Sequence, residues 1–314
     1  MNSIYYTIIS SSLLLCSQAH ATVVYSDDLS TNAGFTVVAD ADTSAIFGYD
    51  YSADGIPSAP NGTGTTGLKL QANIANGVAS EIAAVHALGF SNTPYRVKFD
   101  AWINYSIAGG SSTEFIGGGV GHNGTGTGRN GASILATGDG GSSRDYRLYK
   151  DDSEQFFASG IYSSTLTSNN GSDLALSSAF LAKAAPGAQG QVGTSDAGDM
   201  GFEWVTFQID VDPNGSIAGT TADKGTATFT LTSSASGNSV VIGTIDNSDG
   251  SSLVDVEGNF SLIYADLFSS VAGDTNLQFG LYDNVVIETV PEPSSSIMIA
   301  LAAMLVGTHR KRSQ

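Results

Sequence analysis

The sequence predicts an all-β protein whose body is a single two-sheet sandwich, on three observations. Apolar and polar residues alternate with period two along three well-separated segments. Glycine supplies 38 of 314 residues, about 12% against an average near 7%, which suits many tight turns between strands. A single stretch carries a helix signal.

The elements follow in chain order. Thr22 to Ser26, Phe35 to Val38 and Gly67 to Ile74 read as short strands. The first long strand is Tyr95 to Tyr105, where Tyr95, Val97, Phe99, Ala101, Ile103 and Tyr105 are apolar and every even position except Trp102 is polar. Glu114 to Val120 and Asp145 to Tyr149 are shorter candidates. The helix signal spans Ser172 to Ala185, with Asp173 in its first turn, a partial stripe of Leu174, Leu176, Phe180 and Leu181, and Pro186-Gly187 as its stop. Val205, Phe207, Ile209 and Val211 form one face of the next strand, which Asp212-Pro213-Asn214-Gly215 turns back. Thr226 to Leu231 and Val240 to Ile245 continue it as a meander. Phe260 to Tyr264 comes next, and Leu277, Phe279, Leu281, Val285 and Ile287 close the body. About ten strands, each with one interior face, make a sandwich of two sheets.

Three of these segments, RVKFDAWINY (Arg96 to Tyr105), EWVTFQIDVDPNG (Glu203 to Gly215) and FGLYDNVVIE (Phe279 to Glu288), resemble strands of concanavalin-A-like or laminin-G-like jelly rolls. The resemblance implies a jelly-roll sandwich and no particular activity.

The two ends read differently from the body. Residues 1–21 hold an apolar core from Ile8 to Leu15 and end in Ala19-His20-Ala21, a small-x-small site, so a signal peptidase is expected to cut after Ala21. That cut removes Cys16, the only cysteine, and with it any disulfide or thiolate chemistry. Residues 290–314 place Pro291, Glu292 and Pro293 before an uncharged run from Ser294 to Thr308, followed by Arg310, Lys311 and Arg312. The run, an apolar helix over about 295–308, would rise roughly 22 Å, short of a comfortable membrane span. The basic end favours a cytoplasmic C-terminus with the body on the far side. This order of triplet, apolar run and basic end resembles the PEP-CTERM sorting signal. The resemblance implies an exosortase as partner, cleavage near Pro291 to Pro293, and delivery to the envelope or extracellular matrix of a Gram-negative-type bacterium, alongside exopolysaccharide. The expected organisation is therefore signal peptide 1–21, sandwich 22–289 and sorting tail 290–314.

Charge and motifs narrow the activity of the body. The chain has 30 acids and 12 bases; without Glu292 and the three terminal bases the body keeps 29 and 9, a net charge of −20. Such a field repels phosphate backbones and argues against nucleic acid as a partner. The glycine-rich stretch from Ile116 to Gly131 lacks the lysine of a phosphate-binding loop and reads as a solvent-exposed loop, in which His122 and Arg129 could touch a ligand. His86 reads as a core or half-buried residue. Laminarinase-type enzymes of this fold carry E-x-D-x-x-E on one strand, which does not occur here, and neither does a G-x-S-x-G elbow.

No cofactor is expected; calcium is the better inorganic candidate, and the other reading of the loop acids is that they are solvated turn residues. If first and last strands pair, Asp27 or Asp28 would meet Asp283 and Asn284, whose hard oxygens suit that ion. Trp102 and Trp204 are the candidate sugar-stacking residues, with core or second-face packing as the commoner role for each. The sequence thus points to an exported, non-enzymatic surface protein with glycan contact, and against it stands a secreted glycoside hydrolase or polysaccharide lyase.

Overall fold

A computed structural model describes residues 21–88, 93–107, 113–126, 128–138, 144–155, 174–214, 225–247, 254, 256 and 258–290. The signal peptide up to His20 and the tail from Pro291 onward, with its triplet, apolar run and basic end, lie outside them. Thr22–Thr289 forms a compact unit. Among the described residues no helix is long and apolar enough to cross a membrane.

The unit is an all-β sandwich of two antiparallel sheets. Its strands are β1 (Thr22–Asp27), β2 (Phe35–Ala39), β3 (Thr43–Asp50), β4 (Thr66–Ala72), β5 (Ser80–His86), β6 (Tyr95–Asn104), β7 (Glu114–Val120), β8 (Ala132–Thr137), β9 (Tyr146–Lys150), β10 (Ser153–Glu154), β11 (Trp204–Asp212), β12 (Thr226–Ser233), β13 (Ser239–Asp246), β14 (Phe260–Asp266) and β15 (Phe279–Thr289). The first sheet runs β13-β12-β11-β6-β15-β4-β3, with β1 also on β15, and the second runs β10-β9-β8-β7-β14-β5-β2.

Alternation explains which side of each strand is buried, because successive side chains leave a strand on opposite faces. Val97, Phe99 and Ala101 of β6, Val205, Phe207 and Ile209 of β11, and Phe229 and Leu231 of β12 all enter the main core. Phe99 and Phe207 are register partners and stack with centroids 5.1 Å apart. The second sheet answers with Ile116, Ile134, Leu148 and Leu262. Tyr282 of β15 crosses between the sheets, donating to the carbonyls of Gly117 and Ile263.

Four strands escape the sequence reading; β10 is only two residues long, and the other three each have a physical reason. β5 (SEIAAVH) is buried on nearly every side chain, so it shows no alternation. β8 (ASILAT) is wholly buried in the same way. β3 is an outer strand interrupted by Gly48 at φ +70, where its register with β4 slips. The expected helix over Ser172 to Ala185 forms only at Leu174–Ala179 as α1, with its first two positions outside the described residues.

The glycine-rich stretch is corrected too. Its first part is β7, in the middle of the second sheet, where the outward-facing backbone of Gly117 runs so near Ile134 that no Cβ would fit. In the described remainder Asn123, Thr125 and Gly126 stand in solvent as expected, whereas His122, Gly128 and Gly131 are buried. His122 is buried, its Nδ1 accepting from Gly124 N at 2.9 Å, while Asn259 donates to its carbonyl at 2.7 Å. His86 is half-buried at the end of β5, its ring 4.2 Å from that of Tyr25 and stacked 5.5 Å from Phe260.

One irregularity positions the site. β15 is the longest strand, and it pairs with β6 along one side, but on the other side β4 takes Gly280 to Tyr282 and β1 takes Val285 to Thr289. Asp283 and Asn284 sit where the two partners part. There the register with β6 shifts, and Asn284 adopts φ 53. A bulge at this point bends the strand and re-aims its side chains, and asparagine is among the few residues that accept a left-handed backbone readily.

Candidate functional site

The outer face of the first sheet carries the even positions of β6 and β11. Half of it is roofed by the segment between β3 and β4. Tyr51, Ile56 and Ala59 of that segment pack on Trp102, Trp204, Phe279 and Leu281 in a second, smaller core. Trp102 and Trp204 are register partners, 4% and 2% exposed, with rings 5.8 Å apart edge to face. Trp204 Nε1 donates to the Pro57 carbonyl at 2.8 Å. The two candidate stacking residues are therefore roofed over and offer no ring to a sugar. Second-face packing, the commoner role expected of them, is what both adopt: a tryptophan on the polar side of a strand is exposed only if nothing covers that side.

The roof is pinned next to the bulge by carboxylates. Asp100, fully buried, accepts from Asn61 N at 3.1 Å, Asn61 Nδ2 at 2.7 Å, Thr206 Oγ1 at 2.6 Å and Asn284 Nδ2 at 2.9 Å. Four donors on one carboxylate satisfy its lone pairs and offset its removal from water. Asp283, its register partner on β15, accepts from Tyr51 Oη at 2.8 Å and from Asn284 N at 2.7 Å. Burial pushes its carboxyl up to about 6; the two hydrogen bonds hold it down in part, and the charges of Asp100 and Asp28 push it further up. The same burial, with the Asp283 carboxylate beside it, raises the Tyr51 phenol.

Beyond this network the surface opens into a cleft of about 550 Å³, lined by Asp27, Asp28, Ser30, Thr31, Asn61 and Asn284, with Val285 and Val286 on its floor. Its far wall is a tight turn. Asp27 Oδ1 accepts from Leu29 N at 2.6 Å and Asp28 Oδ1 from Ser30 N at 3.0 Å, while Leu29 holds φ 59. These bonds from Ser30 lower the Asp28 carboxyl below its ordinary value. Gly62 lets the near wall close, because a Cβ there would collide with the Asn284 side-chain amide. The cleft offers carboxylate acceptors, amides that donate and accept, and hydroxyls, all fixed by turns and strands.

The expected pairing of first and last strands is present, with Asp27 opposite Val285. It brings Asp27, Asp28 and Asn284 to one cleft but not Asp283, whose oxygens face Tyr51 and the Asn284 amide. Among the described residues no three His, Cys, Asp or Glu side chains gather as a metal-holding group. Both Asp27 oxygens are engaged, by Leu29 N and by Tyr25 Oη at 2.8 Å. The four residues named for calcium therefore do not line the cleft together, since Asp283 is not among its walls. Asp100, Asn61, Tyr51 and Thr206 were not legible as site residues. The only signals were an acid at an outward position of a strong strand and the turn-forming Asn61-Gly62 pair.

No protein-family model matches the chain, and no curated protein matches it. Among solved structures it is similar to peanut lectin with a bound nonapeptide (10% identity, TM-score 0.39, covering 87% of this chain and 98% of that one). It is similar also to the PL-14 alginate lyase from Aplysia kurodai (12%, 0.38, 86% and 100%). The carbohydrate recognition domain of Emp47p is a third (10%, 0.37, 86% and 97%). Lectins and alginate lyases both stand among these neighbours.

Proposed function

We propose that this is an exported protein of the bacterial cell surface or extracellular matrix, whose jelly-roll body holds hydroxyl-rich glycan without cleaving it. The observation that carries the binding role is the bulge cleft: an open, polar pocket in which Asp28, Ser30, Thr31, Asn61 and Asn284 present fixed donors and acceptors to a ring of hydroxyls. Extracellular polysaccharide is the partner of matching chemistry.

The non-enzymatic role rests on the carboxylates. Asp100 is closed off behind Asn61, Thr206 and Asn284, and Asp283 lies directly beside it with 2% exposure. A hydrolase needs two carboxylates flanking a bond across open space. The second reading, a secreted glycoside hydrolase or polysaccharide lyase, draws its support from Asp283, since a carboxyl pushed up to about 6 suits an acid or base. Export rests on the two termini: signal peptidase acting after Ala21, an exosortase acting at Pro291, Glu292 and Pro293, and Arg310, Lys311 and Arg312 orienting the tail.

Two experiments test this. A glycan array probed with wild type and Asn61→Ala should give binding that the substitution removes, with no new reducing or unsaturated ends; product release from a bound polysaccharide would establish the enzyme instead. Replacing Pro291 and Pro293 by alanine in the native host should block maturation, and unchanged processing would defeat the sorting role.

A further inference from the structure

The outer face of the second sheet holds another pocket, of about 460 Å³, unconnected with the residues of the bulge cleft. Its walls come from the start of β5, from β9 and the turn after it, from Arg129, and from the end of β14 with the segment that follows. Arg147 and Tyr149, two residues apart on β9, point to the same side, as strand periodicity requires. The Arg147 guanidinium lies 5.0 Å from the Phe115 ring and 6.0 Å from that of Phe268, and its Nη1 stands 3.5 Å from Glu154. Arg129 lies 4.9 Å over Tyr149 and forks onto Glu81, with Nε at 2.8 Å and Nη2 at 2.5 Å from the same oxygen. Arg147 Nε also donates to the Arg144 carbonyl at 3.2 Å, so both guanidinium planes, held on aromatic faces and by these bonds, are fixed at the pocket wall.

Two features decide what such a pocket takes. Phe268 remains 44% exposed at the rim, an aromatic ring with an apolar surface to cover. The charged lining sets Arg129 and Arg147 against Glu81, Asp152, Glu154 and Asp266, with Arg144 3.1 Å from Glu154 at its edge, so acids still outnumber bases and the pocket carries no excess positive charge to draw an anion. An apolar ring beside fixed donors and acceptors, without net positive charge, fits a neutral sugar ring, whose C–H face covers the aromatic while its hydroxyls bond around the edge.

We infer that this pocket is a second saccharide subsite, selective for neutral pyranoses over uronates, in which Phe268 is the stacking ring and Arg147 the positioned donor. The inference rests on the glycan-binding reading, but it places the contact on the opposite sheet. It also returns the aromatic platform to the protein after Trp102 and Trp204 are lost to the roofed core.

The test is titration of the full chain with the methyl glycosides of glucose, galactose and mannose and with methyl glucuronide, followed by ligand-observed NMR. Phe268→Ala and Arg147→Lys are compared with Asn61→Ala; Phe268 is exposed enough for its loss to leave the fold intact, which a melting curve checks. At least one neutral glycoside should bind tenfold or more weakly to Phe268→Ala, and more weakly to Arg147→Lys, with methyl glucuronide weaker than its neutral counterpart in the wild type. Binding that Asn61→Ala abolishes and Phe268→Ala leaves untouched would overturn this subsite while sparing the bulge cleft. No binding by any glycoside would overturn both.

Discussion

Asp100 and Asp283 are register partners on β6 and β15, two buried carboxylates side by side on the outer face of one sheet, held by different donors. Asp100 gathers Asn61, Thr206 and Asn284, whereas Asp283 keeps Tyr51 and the backbone of the bulge. Through them the roof over the tryptophans and the wall of the cleft depend on the same few hydrogen bonds.

Removing the acceptor should therefore loosen the roof. Asp100→Ala leaves the donors of Asn61, Asn284 and Thr206 without their carboxylate and should cost about 2–4 kcal/mol. A lower urea midpoint together with a red shift of tryptophan emission is expected. An unchanged emission maximum would separate the carboxylate from the roof.

Two acids on β15 should show opposite pH dependence. The folded value of Asp283 is raised to about 6 from 3.8, so the folded state binds its proton more tightly. The stability this gives is complete below about pH 4 and is lost as pH rises through 6. Glu288 is lowered, first by its hydrogen bond from Lys98 at 2.8 Å; its stability is present above the unfolded value of 4.5 and is lost as pH falls through the folded one. Asp283→Asn should flatten the rise in melting temperature from pH 7 to 5 relative to wild type. Glu288→Gln should flatten the fall below pH 4.5, and differential scanning calorimetry across that range reads both.

Trp204 should behave as a core residue. Trp204→Phe removes the bond to the Pro57 carbonyl and should cost about 1 kcal/mol, whereas Trp204→Ala opens a cavity and should cost about 3–5 kcal/mol. Glycan affinity of the folded fraction of Trp204→Phe should match wild type.

Gly62 has a local role. In Gly62→Ala the new methyl meets the Asn284 side chain, which must leave its place on Asp100. Loss of glycan binding with a melting temperature lowered by only a few degrees is expected, as measured by paired binding and thermal scans.

What the sequence made legible follows from exposure. Tyr95 to Tyr105 and Glu203 to Val211 alternate because one face of each meets the core and the other meets solvent or a polar network, and both appear as β6 and β11. The meander of β11, β12 and β13 is formed as expected, joined by neighbouring pairings. β5 and β8 were invisible because burial on both faces erases the pattern. The site was half legible. Asp27, Asp28 and Asn284 meet because β1 pairs with β15, a relation that topology supplies. The burial of Asp283 beneath Tyr51 and the roof over Trp102 and Trp204 arise from contacts of the Tyr51 to Thr65 segment, which lies between strands and has no periodicity to betray where it docks.

The central claim is that the bulge cleft holds glycan. Amide chemical-shift mapping of the isotope-labelled protein, titrated with an array-positive oligosaccharide, tests it most directly. Shifts concentrated at Asp28, Ser30, Thr31, Asn61 and Asn284 are predicted; a saturated complex in which those five amides do not move would contradict it.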